Sequence, residues 1–245
     1  MTERLNGRRI LVSGGTSGIG AASAGRLTAE GGRVWILGSC EESLQRALAQ
    51  LNVAGGSVCD VTDEPAVERA TAQAAQQLGG LDGAFVNAGI DGQGANVVEL
   101  SADHFRRVLD VNVVGVFLVA RASARLMGHG SAIVVNASVN GLRAERDFAD
   151  YNASKAAVIS VAQTMALELA ERGITVSSIC PGYIRTPMTA PYLNDAATAE
   201  QLLEQIPAGR FGTPEEIGAL VAFLLSADAG YMTGAVISVD GGRSV

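Results

Sequence analysis

Short runs rich in Val and Ile recur along the chain, separated by longer Ala-rich segments of mixed polarity. Consecutive apolar positions suit strands buried on both faces, and the intervening segments suit crossover helices. The strand candidates are 9–13, 33–37, 56–59, 82–86, 131–136, 174–179 and 235–239; the helix candidates lie near 18–30, 41–50, 64–77, 101–128, 150–172 and 214–225. Each strand–helix–strand unit crosses over right-handed, so the simplest architecture is α/β, a doubly wound parallel sheet of about seven strands with helices on both faces. Such sheets bind ligands outside the carboxyl ends of their strands. One long irregular stretch, 182–213, interrupts the alternation. Pro181, Pro187, Pro191, Pro207 and Pro214 punctuate it, and 195–206 suits a short helix. At the ligand edge, a loop of this length (about 183–213) reads as a substrate lid.

Composition narrows the picture. With 48% apolar residues, 245 positions suffice for one large core, and no Pro-rich, Ser-rich or charge-block linker divides them. One domain over 1–245 is expected. A net charge of −7 argues against nucleic acid or an anionic membrane surface as partner, since both require a basic face. The local basic pairs, Arg106–Arg107 and Arg143/Arg146, read as solvated faces. No run approaches the ~20 apolar residues of a membrane span. The start, Met1-Thr2-Glu3-Arg4-Leu5, lacks the basic-then-apolar order of a secretory signal, so a cytoplasmic location is expected. Cys40, Cys59 and Cys180 show no Cys-x-x-Cys spacing, and His104 and His129 stand apart from them, so no metal site is expected.

Directly after the first strand candidate comes Ser13-Gly14-Gly15-Thr16-Ser17-Gly18-Ile19-Gly20, opening a helical run. Glycines there permit a tight turn, close approach of backbone N–H groups to a pyrophosphate, and close helix–strand packing. In this strand–turn–helix context the segment is a candidate dinucleotide site, which makes the sheet a single-domain Rossmann fold.

Tyr151-Asn152-Ala153-Ser154-Lys155 opens a later helix. Tyr151 and Lys155, four apart, share one face with Cβ atoms roughly 5–6 Å apart. Tyrosine ionises near pKa ~10, and a nearby ammonium is expected to lower that value by stabilising the phenolate. Lys155 is the only lysine among 18 basic residues, which raises the weight of the pair. Ser138 stands at the end of the fifth strand candidate, where it could donate to a substrate oxygen or serve as an ordinary turn cap.

The spacing Gly-x-x-x-Gly-x-Gly, with Tyr-x-x-x-Lys and Ser138 thirteen residues before the tyrosine, resembles the short-chain dehydrogenase/reductase family, including its 3-oxoacyl-carrier-protein reductases. The resemblance covers essentially the whole chain and implies an NAD(P)-dependent oxidoreductase acting on CH–OH groups, with an alcohol or ketone as small-molecule substrate. It implies Tyr151 as general acid/base, Lys155 tuning it and holding the nicotinamide ribose, and Ser138 polarising the substrate oxygen. Asn112 matches the family asparagine that positions a water leading to the lysine; read alone, it could mark a local helix kink. Cofactor contacts implied by the match are Gly14, Thr16, Ser17, Gly18, Ile19 and Gly20 in the turn, Ser39 after the second strand, and Asp60–Val61 at the adenine. Asn87-Ala88-Gly89 steadies the sheet beside the cofactor, and Pro181–Gly182, Ile184 and Thr186 face the nicotinamide. The family also implies a homotetramer built partly through the C-terminal strand.

NAD and NADP both stay open. The second strand ends in Gly38-Ser39-Cys40, with neither the carboxylate that binds a 2′-hydroxyl nor a cation for a 2′-phosphate. Absence of the cation favours NAD. Substrate choice falls to Asp91-Gly92-Gln93-Gly94, to Asn140, Arg143, Glu145, Arg146 and Asp147, and to the lid. A polar or anionic substrate on Arg143 is one expectation. A dinucleotide-binding sensor without turnover would not need the tyrosine and lysine, and a methyltransferase would explain neither them nor Ser138.

Overall fold

The computed structural model of the chain describes residues 3–245; Met1 and Thr2, part of the N-terminal stretch read above, lie outside them. The strands are β1 (Arg9–Ser13), β2 (Arg33–Gly38), β3 (Gly55–Val58), β4 (Leu81–Val86), β5 (Met127–Asn136), β6 (Thr175–Pro181) and β7 (Val236–Val239). All pair in parallel, in the order β3-β2-β1-β4-β5-β6-β7. The chain builds outward from β1 to one edge, then returns and builds from β4 to the other. That reversal opens a crevice at the carboxyl ends of β1 and β4.

The helices are α1 (Gly18–Ala29), α2 (Glu41–Gln50), α3 (Glu64–Leu78), α4 (Ala102–Leu109), α5 (Val116–Leu126), α6 (Ala149–Leu169), α7 (Ala190–Leu193), α8 (Ala196–Leu203) and α9 (Pro214–Leu224). α1, α2 and α9 cover one face of the sheet; α3, α5 and α6 cover the other. Alternate strand residues feed the two layers. Ile10, Val12, Ala132 and Val134 enter the first core, whereas Leu11, Ile133 and Val135 enter the second. That is why these runs are apolar at every position, each fully buried Ile, Leu or Val contributing about 1.5–3 kcal/mol.

The helix expected over 101–128 is instead three pieces. α4 ends at Leu109, Asp110–Gly115 winds as a π-helix, and α5 stops at Leu126. Asn112, inside the widened turn, bonds across to the backbone of Ile90, a partner that holds the bulge in place. β5 begins at Met127 rather than 131 because Gly128 and Gly130 favour leaving the helix, and Arg172 takes up the freed carbonyls of Ala124 and Met127 at 2.7 and 2.9 Å. α6 ends at Leu169, followed by a single 3-10 turn to Arg172. β6 extends through Pro181, past the expected 179.

The 183–213 segment forms a small layer of its own. It holds α7 and α8 in place of one helix over 195–206, with Asp195 capping α8 by accepting from the Thr198 N–H at 2.9 Å. A β-bridge between Ile184 and Gly212 closes its base, and Leu193, Ile206 and Phe211 form its core. Among the described residues no helix is long and apolar enough to cross a membrane.

Candidate active site

A cleft of about 1020 Å³ runs along the carboxyl ends of the strands. Gly14, Thr16, Ser17, Gly18 and Ile19 form its wall at the β1–α1 turn. Ser17 precedes α1 with no side-chain cap, so the first N–H groups of the helix are free for an anion. Gly20 does not line the cleft. It sits behind the turn, where a Cβ would lie 2.0 Å from the Gly14 carbonyl oxygen, so its role is the close packing of α1 on the turn. Asn87 ties three strands together: its Nδ2 donates to the carbonyls of Ser13 and Gly14 at 3.2 and 3.1 Å, and its Oδ1 accepts from Asn136 at 2.8 Å.

Ser39, Asp60 and Val61 line one end of the cleft. Asp60 accepts from both the N–H and the hydroxyl of Thr62, bonds that hold its carboxyl below the usual range. Arg106 and Arg107 also line the cleft, so the face they solvate is that of the site. Arg106 is paired with Asp103 at 2.8 Å. Their doublet in the sequence carried no sign of this, because the break after α4 sets which way the helix faces.

At the other end of the cleft stand Ala88, Gly89, Ser138, Tyr151, Lys155, Pro181, Gly182, Ile184 and Thr186. β5 stops at Asn136, so Ser138 lies beyond the strand as the cap of a 3-10 turn, Val139–Gly141, accepting from the Asn140 N–H at 3.1 Å. The turn fits only because residue 141 is glycine: a Cβ there would meet the backbone of Lys155 at 2.7 Å. Turn cap and cleft position therefore coincide at Ser138.

Lys155 is buried, with Nζ donating to the Asn136 carbonyl at 3.0 Å and lying 5.3 Å from the centroid of the Tyr151 ring. Burial brings its pKa down to about 8. The expected lowering of the phenol by Lys155 is not the direction found. Burial holds Tyr151 well above the ordinary tyrosine value, Asp91 pushes the same way, and a hydrogen bond with Ser138 opposes them. The ammonium sits over the ring and donates to a carbonyl.

Asn112 is fully buried behind the cleft and does not line it. Its Oδ1 accepts from Ile90 N–H at 2.8 Å; its Nδ2 donates to Ile90 carbonyl and to Ser154 Oγ at 2.9 and 3.1 Å. The side chain thus joins the π-helix, the loop after β4 and α6. Asp150, which no sequence signal marked, is also fully buried and accepts from the N–H groups of Tyr151 and Gln93 at 2.8 and 3.0 Å, with His104 Nε2 at 3.7 Å. Arg143 donates to the Arg243 carbonyl at 3.0 Å and does not line the cleft, so the expected anion contact there is withdrawn.

A parallel sheet reversing at β1/β4, with a glycine turn and uncapped helix N–H groups at that reversal, defines a dinucleotide-binding protein of the Rossmann class. The family profile described as Enoyl-(Acyl carrier protein) reductase matches residues 14–244. The chain is 37% identical to levodione reductase of Leifsonia aquatica, over 99% of this chain and 96% of the relative. It is also 37% identical to 3-oxoacyl-[acyl-carrier-protein] reductase MabA of Mycobacterium tuberculosis, over 97% and 93%. Among solved structures, levodione reductase superposes with a TM-score of 0.92 at 34% identity, covering 98% of each chain. A short-chain dehydrogenase from Burkholderia cenocepacia, solved in complex with NADP, gives 0.91 at 34% identity, covering 99% and 100%. The chain belongs to the short-chain dehydrogenase/reductase family, and it is an NAD(P)-dependent oxidoreductase acting on CH–OH groups.

Proposed function

We propose that the protein interconverts a secondary alcohol and its ketone with Tyr151 as the proton-transfer residue, Lys155 and Ser138 assisting. The observation that carries this reading is the convergence of the three side chains on the cleft end opposite Ser39 and Asp60, held by Asn136, Gly141 and Asp150. The bound nicotinamide supplies or accepts the hydride. The residues present fit that group: the cleft is long enough to run from Asp60 to Tyr151, and the α1 N–H groups stand free where a pyrophosphate would lie.

In reduction, Ser138 donates a hydrogen bond to the carbonyl oxygen, and the Tyr151 hydroxyl gives its proton as negative charge develops there. Burial keeps the phenol protonated at neutral pH, which readies it as an acid. In oxidation, the phenolate takes the alcohol proton, and this form becomes scarcer as pH falls. Alcohol oxidation is therefore expected to rise with pH from neutral into the alkaline range. Ser138→Ala should lower kcat about 100-fold or more in both directions while leaving the fold intact. Flat pH profiles together with a near-normal Ser138→Ala variant would count against this assignment.

We infer NAD as the preferred cofactor. Ser39 and Cys40 are neutral, and the first turn of α2 that follows carries Glu41 and Glu42, charges that disfavour a 2′-phosphate. We further propose a homotetramer assembled through the sheet edge at β7, whose Val236 and Ile237 are only half buried, with Tyr231 fully exposed beside it. Light scattering should give four times the chain mass; a monomer contradicts it.

A further inference from the structure

Two carboxylates, Asp91 and Glu145, stand close enough for their charge to act on Tyr151, and they differ in what surrounds them. Glu145 is compensated. Tyr183 donates to it, Asn140 Nδ2 donates at 3.1 Å, and Arg243, itself 7% exposed, stands 3.3 Å away. Asp91 is held by neutral donors: its Oδ1 accepts from the N–H of Gly92 at 2.9 Å, and its Oδ2 accepts from the Tyr192 hydroxyl at 2.8 Å.

Asp91 follows Ile90, which lines the cleft, and precedes Gly92, where a Cβ would lie 3.2 Å from the Tyr151 Cβ and 2.6 Å from Asp150 Oδ1. Tyr192 belongs to α7 in the lid, and its ring meets that of Phe148 edge-on at 6.2 Å, just before α6 begins. The loop after β4, the 183–213 segment and the start of α6 thus meet beside Tyr151, and the charge of Asp91 is felt at both Tyr151 and Lys155.

We propose that Asp91 and Tyr192 are the specificity-determining pair of this site, selecting neutral substrates with a second hydroxyl, diols and hydroxyketones, over hydroxy acids. The proposal rests on the alcohol/ketone reading above. A second hydroxyl donates to the Asp91 carboxylate, which Tyr192 holds in place with its own proton, and hydrogen bonds to an ionised acceptor are roughly twice as strong as neutral ones. A mono-alcohol leaves that half-buried carboxylate with only its protein donors. A hydroxy acid brings a like charge into a poorly screened space.

The test uses a matched four-carbon series, the vicinal diol, the secondary mono-alcohol and the hydroxy acid, on wild type, Asp91→Asn and Tyr192→Phe. Wild-type kcat/KM should favour the diol over the mono-alcohol by about 10- to 100-fold, with the hydroxy acid lowest. Asp91→Asn, nearly the same shape, should raise the hydroxy acid about 10-fold relative to the diol, and Tyr192→Phe should lower the diol alone. Ratios unchanged in both variants overturn the pair. If wild type oxidises none of the three, the alcohol/ketone reading is what fails. Calorimetric binding of the same series to the protein with reduced cofactor then decides: tighter diol binding that Asp91→Asn weakens sustains the pair, and equal binding of diol and hydroxy acid overturns it.

Discussion

Lys155 is buried beside Tyr151. Burial makes its ammonium costly, so the proton leaves at about 8 instead of near the ordinary lysine value. Because it is the only lysine, isotope-labelled lysine gives a single side-chain signal in NMR. That signal should titrate with a midpoint near 8, charged below and neutral above; a midpoint at the ordinary ~10.4 would mean the side chain is solvated. The Tyr151–Lys155 pair was legible in sequence because four-residue spacing on a helix is a geometric statement. Asp150 was not, since an acidic residue at a helix start is ordinary, and only burial against Gln93 and His104 turns it into the anchor of Tyr151. The direction of the Tyr151 shift was likewise beyond reach of the sequence, which shows the lysine four residues away but not Asp91, sixty positions earlier in the chain.

At the scale of elements, the glycine turn and α1 act as one unit. A methyl at Gly20 would stand 2.0 Å from the Gly14 carbonyl oxygen and 2.6 Å from Asn87 Nδ2. Gly20→Ala should therefore push the turn into the cleft, costing about 1–3 kcal/mol of stability and weakening cofactor binding at least tenfold. Thermal unfolding and fluorescence titration with reduced cofactor check both effects; unchanged values would mean the turn is softer than its packing indicates. The apolar runs placed every strand to within a few residues, most plainly β1, β2, β4 and β6, which are buried on both faces. The continuous helix over 101–128 failed for the opposite reason. Its hydrophobic period runs on through Asn112, and the break depends on bonds from Ile90 and Arg172, partners distant in sequence. The 183–213 segment stood out by its prolines, but its two helices and its own core of Leu193, Ile206 and Phe211 depend on packing.

For the whole molecule, the strand order puts the glycine turn, Asn87 and Tyr151 on one edge, where they line the same cleft. The motifs foretold that gathering through their order along the chain, and Asp91 and Glu145 already stood in the segments left to choose substrate; that Tyr192 and Tyr183 of 183–213 bond to them came only from the fold. The central claim is that Tyr151 at this edge moves the proton in an alcohol/ketone oxidoreduction. It is tested most directly by absorbance at the reduced-nicotinamide band, comparing wild type and Tyr151→Phe with NAD and NADP over a panel of secondary alcohols and ketones. Wild type should turn over, faster with NAD, while Tyr151→Phe binds cofactor equally well but loses about 100-fold or more in kcat. Near-normal turnover by Tyr151→Phe would contradict the account.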